Sequence, residues 1–281
     1  MENNENNPLR QFFRRPAVYL SLPSGGDAYT SDDVEWPEGG KELPVYPMTA
    51  IDEITTKTPD ALFNGTAMVE IIKSCIPAIK NPWNLLSNDL DSVLISIKAA
   101  GGQETIDVES ECTNEECKAL GTYGINLQVL LRSIQKGDYD KPLQIGDLTV
   151  YFQPIQYSTM NDAALKQFDI QAKYKNMNKI ENEQERNKTG QDALKEITSL
   201  TMEVLAKATA KIVTPDDTEV TDPKYILDFF NNCDTLSYEA IRDTNADLRA
   251  KSTIKPLTIT CDECQTEYTQ PFTLNASDFF V

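Results

Sequence analysis

The chain has 281 residues, with 44 acidic side chains against 26 basic ones, no histidine and a net charge of -18. That length suffices for one large or two modest cores. The acidity argues against duplex DNA or RNA and against an anionic membrane surface, both of which recruit Lys and Arg, and the missing histidine removes His-based triads, His metal ligands and the usual proton shuttle.

No run of about twenty apolar residues is present to span a bilayer, and the start is polar and Asn-rich rather than secretory. The expectation is a soluble protein in a reducing cytoplasm, where thiols stay free or metal-bound. Met1 to Asn7 is expected to be disordered. Residues 1–22 read as an extended arm in which Arg10, Arg14 and Arg15 stand beside Phe12 and Phe13. One reading is a solvated arm. The other is a partner-binding arm, because aromatics beside arginine make good interface anchors.

Residues 23–48 hold Pro23, Gly25, Gly26, Pro37, Gly39, Gly40, Pro44 and Pro47, a density that rules out long regular structure. Thr58-Pro59 predicts an N-cap with proline in the first turn, and Leu62, Val69, Ile72, Cys75 and Ile76 follow at helical spacing up to Pro77. Ser87 predicts a second N-cap, with Leu90, Val93, Leu94 and Ile97 on one face and Gly101-Gly102 as the stop.

Cys112 and Cys117 come next, between alternating runs that read as strands: Ile106 and Val108 before, Ile125 and Leu127 after. The arrangement returns near the end, with Leu257 and Ile259, then Cys261 and Cys264, then Phe272 and Leu274. In both copies apolar residues stand eight and ten positions past the second thiol, so the strands share a phase. The unit is a β-hairpin whose turn carries two thiols, present twice. Two such turns supply the four thiolates of a closed, structural zinc site, with Cys112, Cys117, Cys261 and Cys264 as ligands. The alternatives are small apolar core residues or a redox pair. Lys118 and Gln265 follow the second thiols, where glycine often relaxes such a turn. Cys75 and Cys233 sit on apolar helix patterns and read as core.

Between the hairpins, Leu148 to Tyr157 reads as a strand that exits at Pro154. Residues 158–255 then read as a helical insertion. Leu165, Phe168 and Ala172 share a face; Asn178 to Gly190 is almost wholly polar; Leu194, Ile197, Val204, Leu205, Ala208 and Ile212 resume helical spacing. Asp222-Pro223 predicts a helix start with Ile226, Leu227, Phe229 and Phe230 inward, and Thr235 or Ser237 caps the last helix. The expected organisation is an arm (1–22), a mixed domain with the first cysteine hairpin (23–157), the helical insertion (158–255) and a C-terminal cysteine hairpin (256–281) closing on the first. The fold class is α+β, with zinc-ribbon-like pairing of the two hairpins.

Catalytic signatures are absent from the sequence. Ser24-Gly25-Gly26 lacks the spacing and lysine of a phosphate loop, and there is no Gly-x-Ser-x-Gly elbow. Acidic pairs such as Asp32-Asp33, Asp52-Glu53 and Asp216-Asp217 fall in caps, loops or turns, as abundance alone predicts. A four-thiolate zinc has no open position for water. The expectation is a protein that is not an enzyme and takes no small-molecule substrate and no nucleic acid.

Four stretches carry a family resemblance: Asn7 to Gly26, Leu43 to Ile54, Lys57 to Gly65 and Ile72 to Lys80. They resemble the baseplate hub assembly proteins of T-even-type contractile-tailed bacteriophages, and the likeness continues more loosely through both cysteine hairpins to Asp278-Phe279-Phe280. The resemblance implies a structural or chaperone-like role in building the hub of the tail baseplate, by contact with other hub and tail proteins. It implies a place in the host cytoplasm during assembly, or in the virion tail. Outside that family, the alternative is a zinc-stabilised adaptor or regulatory protein of phage or host.

Overall fold

The computed structural model describes residues 7–57, 63–177, 182–272 and 274. The expectations for residues 1–6, for Thr58-Pro59 and for Asp278-Phe279-Phe280 lie outside the described residues. Two hydrophobic cores organise the rest.

The first core begins with β1 (Val18–Ser21) and β2 (Glu42–Val45), an antiparallel pair with Leu20 opposite Leu43. Alternation turns Leu20, Leu43 and Val45 to the buried face. Pairing reaches back to Ala17, whose N–H donates to the Val45 carbonyl. The arm expected over residues 1–22 is therefore shorter: its last third is a strand of the core, and Pro8–Phe12 is a 3-10 turn.

Helix α1 (Ala50–Thr56) opens on a capping box between Thr49 and Asp52. α2 (Thr66–Cys75) buries Met68, Ile71, Ile72 and Cys75. α3 (Ser87–Ala100) lies at the centre and is buried nearly all round, including Ile95 and the polar Asn88, Asp89, Ser92 and Ser96. The single apolar face read from Leu90, Val93, Leu94 and Ile97 understates it. Ser87 is not the cap either. Leu86 holds that position without a side-chain bond, and the Ser87 N–H donates to the Ile155 carbonyl. Asp89 takes the backbone N–H and hydroxyl of Ser24 and the Tyr29 hydroxyl at 2.8, 2.5 and 2.6 Å. One buried carboxylate thus ties the proline- and glycine-rich stretch to the central helix. β3 (Thr105–Glu111), β4 (Leu120–Asn126) and α4 (Leu127–Ser133) complete the early part of this core, and β9 (Leu257–Thr260) and β10 (Glu267–Gln270) return to it from the far end.

The second core belongs to the chain between these visits. β5 (Leu143–Ile145), β6 (Leu148–Phe152), β7 (Thr209–Val213) and β8 (Glu219–Val220) form an antiparallel sheet in that order. α5 (Tyr157–Met177) and α6 (Glu183–Ala208) make a long helical hairpin braced by Lys166–Glu203 and Lys173–Glu196 pairs, followed by α7 (Pro223–Asn232) and α8 (Thr235–Ser252). Val150, Phe152, Leu205, Ile212, Ile226, Phe230, Ile241 and Leu248 fill the interior.

Two expectations need correction here. The segment 158–255 is mostly but not purely helical, because β7 and β8 lie within it, β7 pairing with β6 outside it and β8 with β7. Ala208 and Ile212 are four apart and fit a helix, but Thr209, Ile212 and Val213 are β-branched and favour the sheet. The last helix is capped by Asp234, whose carboxylate accepts the Ser237 N–H, rather than by Thr235 or Ser237. Asp222 caps α7 with Pro223 in its first turn, as the sequence reading has it. The second core also starts before residue 158, with Tyr139, Leu143 and the first two strands packed into it. Departure and return meet: the Tyr139 hydroxyl lies 3.2 Å from the Ser252 hydroxyl. Gly137, at φ 73°, packs so closely that an added Cβ would sit 3.0 Å from Ser252 Cβ.

Candidate metal centre

β3 and β4 pair from Thr105–Asn126 to Glu111–Leu120, and the turn beyond them carries Cys112 and Cys117. β9 and β10 pair from Leu257–Gln270 to Thr260–Glu267, and their turn carries Cys261 and Cys264. The two turns share two backbone features although the first is two residues longer. The N–H of each first thiol residue bonds the carbonyl two positions past the second thiol: Cys112 to Ala119 and Cys261 to Thr266, at 2.9 and 3.0 Å. The residue after each second thiol is left-handed, Lys118 at φ 49° and Gln265 at φ 57°. These are two of three non-glycine residues with positive φ among the described residues. The turn geometry that glycine would ease is adopted without it.

The hairpins face each other through their turns. Cys112 Sγ lies 3.6 Å from Cys264 Sγ, and Cys117 Sγ lies 3.8 Å from Cys261 Sγ, so each first thiol meets the other hairpin's second thiol. All four sulfurs lie within 4.8 Å of one another, and none is in a disulfide. Four sulfurs at about 2.3 Å from a tetrahedral ion stand about 3.8 Å apart. The donor set is therefore compatible with a zinc site in number, chemistry and spacing. Below the sulfurs, the Ser110 hydroxyl and the Tyr268 hydroxyl, both buried, lie 2.8 Å apart and join the two hairpins again.

Cys264 is surrounded by donors. The hydroxyl and N–H of Thr266 hold its thiol down to about 6, and the Asn114 amide reaches its sulfur at 3.8 Å. Sequence reasoning missed Asn114 and Thr266; the available signal was a polar residue two positions past the first thiol of one pair and past the second thiol of the other. The matched offsets hold only in part. Ile125 is on the inner face of β4, but Leu127 opens α4 under an Asn126 cap, and Phe272 and Leu274 lie beyond the end of β10. Tyr268 supplies the inner face there instead. Cys75 is fully buried and burial pushes its thiol up to about 11, while Cys233 caps α7 half-buried.

The left-handed positions yield a measurable expectation. A side chain at positive φ costs about 1–2 kcal/mol, part of which glycine's greater unfolded-state freedom offsets. Lys118→Gly and Gln265→Gly should each stabilise the protein by about 0.5–1 kcal/mol in denaturant melts, with metal content unchanged.

The amino-terminal residues divide into two groups. Arg14 is turned onto the protein itself: it donates to the Pro47 and Ser74 carbonyls at 2.6 and 2.8 Å and to the Ser74 hydroxyl, and lies 3.5 Å from Asp52. Its expected role in binding a partner gives way to that of an anchor. Phe12 and Phe13 are 76% and 56% exposed, and no side chain of the Pro8–Phe12 turn is buried. Arg10 and Arg15 are exposed, whereas Arg14 and Pro16 on either side of Arg15 are half-buried.

A family model described as T4 bacteriophage base plate protein matches residues 30–281. The match takes in both cysteine turns, α1 to α3 and the whole second core, and begins after the stretch Asn7 to Gly26. No curated protein and no solved structure matches the chain.

Proposed function

Because the chain belongs to the T4 bacteriophage base plate protein family, we propose that it serves in building the hub of the tail baseplate, as a structural or chaperone-like part and not as an enzyme. Its partners are phage tail proteins. No helix among the described residues is long and apolar enough to cross a membrane.

The observation that carries the hub role is the amino-terminal turn. Two adjacent phenylalanines stand in water beside Arg10 and Arg15, on a chain with net charge -18. Arg14 fixes this turn to the body, so the aromatic pair is offered at a defined place rather than on a loose tail. Aromatic and arginine side chains together are the usual energetic centre of a protein interface. The zinc-ribbon-like pair of hairpins, holding one zinc on Cys112, Cys117, Cys261 and Cys264, supplies rigidity and no chemistry, because four thiolates fill the ion's coordination.

Replacing Arg10, Phe12, Phe13 and Arg15 together by alanine should leave the melting temperature unchanged and lower the yield of assembled tails at least about ten-fold. Normal tail yield from that variant overturns the reading. Arg14→Ala behaves differently: it removes charge-assisted bonds to two carbonyls and should destabilise the fold itself by about 1.5–3 kcal/mol.

A further inference from the structure

The helices of the second core leave a groove uncovered. It runs between α5, α6 and α8, encloses about 490 Å³, and is mostly apolar, with Met160, Ala163, Leu200, Val204 and Ala246 among its walls. A volume of that size holds a few side chains of an incoming segment. Tyr238, Arg242, Asn245, Ala246 and Arg249 recur at steps of three and four, so α8 lays them along one face of the groove.

Two features set this groove apart from an idle crevice. Asn245 Oδ1 is buried in its wall with no hydrogen-bond partner, a costly state for an acceptor shut off from water. The charged side chains lining it are both arginines, Arg242 and Arg249, in a chain where acidic residues outnumber basic ones 44 to 26. Arg242 gives its Nε–H to Asp243 at 2.8 Å, which leaves its two terminal amino groups available.

We propose that this groove docks an acidic, apolar segment of another tail protein. Its aliphatic or aromatic side chains fill the groove, a carboxylate sits between Arg242 and Arg249, and an N–H reaches Asn245 Oδ1. The charge of the site selects the occupant: two arginines in the lining of an apolar slot favour a carboxylate over a basic segment, Arg249 above all, since Arg242 already pairs with Asp243. A second copy of this chain is disfavoured, since two bodies of charge -18 repel each other. The proposal rests on the reading that the protein works by contact with tail proteins, and it names a surface on the opposite core from the amino-terminal turn.

The test uses the full chain supplied during infection, carrying a photoreactive benzoylphenylalanine in place of Ala246 or, separately, of Phe12. Crosslinked peptides are then identified by mass spectrometry. The expected result at position 246 is a tail-protein peptide with Asp or Glu beside apolar residues. Arg242→Glu with Arg249→Glu should cut that crosslink at least about ten-fold while the thermal melt is unchanged, since both side chains are exposed. Reversing the crosslinked carboxylate to lysine should restore it. Crosslinks from position 246 to this chain's own sequence, or to a peptide without an acidic residue, overturn the proposal. So does a tail peptide from position 12 with none from position 246. Silence at both positions overturns the proposed function along with it.

Discussion

Protein purified without chelator should contain one zinc ion per chain, and Cys261→Ser should contain none and melt about 6–12 °C lower. Folding must bring Cys117 and Cys261 together across 144 residues and Cys112 and Cys264 across 152. Closing such a loop costs conformational entropy, and two short hairpins offer little of their own to offset it. An ion that binds only the closed form shifts the balance by mass action. Structural zinc contributes about 10–16 kcal/mol of apparent binding energy in small zinc peptides. If about 3 kcal/mol of that is lost with one ligand, a chain of this size loses about 2–4 °C for each kcal/mol. Chelator should lower the melting temperature of the parent protein and leave Cys261→Ser unmoved. Metal-free protein of unchanged stability would remove the zinc from the account and leave four packed thiols.

Asp89→Ala should destabilise by about 3–5 kcal/mol, a loss comparable to breaking a buried charge pair. The carboxylate is wholly buried and accepts three bonds; alanine would strand the Ser24 N–H, the Ser24 hydroxyl and the Tyr29 hydroxyl away from water. Asp89→Asn keeps the shape and one acceptor and should cost about 1–3 kcal/mol. The pH profile carries the same carboxylates. Burial raises Asp89 above its ordinary 3.8, against the lowering pull of Ser24 and Tyr29, and burial alone pushes Asp91 up to about 6. Between 3.8 and about 6 the folded chain therefore holds more protons at Asp91 than the unfolded chain, and Asp89 acts in the same direction. Their contribution to stability is present at pH 4 and lost as pH rises through 6. Below pH 4 the sign reverses, because Asp234, held down by the hydroxyl and N–H of Ser237, must then be protonated. Urea melts should show stability falling from pH 4 to about 6 and no further, and Asp91→Asn should flatten the fall.

What the sequence revealed depended on how local the cause was. The four cysteines were legible because two thiols in a turn between alternating strands is a pattern of a few residues, and it occurs twice. Asp222-Pro223 was legible for the same reason. β7 was not: Ala208 to Val213 satisfies a helical step and a strand alternation equally, and only pairing with β6, more than fifty residues earlier, decides between them. α3 hid its true burial because Asn88, Asp89, Ser92 and Ser96 look solvated in sequence, and Ser24 and Tyr29, the partners that bury Asp89, lie about sixty residues away. The amino-terminal turn was half legible. Composition marked Phe12 and Phe13, but nothing in the sequence separates Arg14, bonded to Pro47 and Ser74, from Arg10 and Arg15 beside it.

The route of the chain has a mechanical consequence. The polypeptide leaves the first core after Ile134, touches it again at Ile155 to Tyr157 while building the second, and comes back at Ile254, with Tyr139 and Ser252 touching at the stem. A pull on the second core is thus borne by these two stems and, beside them, by the start of α5, where the Ser87 N–H bonds the Ile155 carbonyl, the Tyr157 N–H bonds the Leu85 carbonyl and Tyr157 stacks on Trp83. Behind the stem contact, Cys112 and Cys117 hang on the outgoing stem and Cys261 and Cys264 on the returning one. Force that would spread the stems runs also through the sulfur cluster, which acts as a shackle across the fork. The first core is therefore loaded at three places together: the stem contact, the sulfur cluster and the first turns of α5.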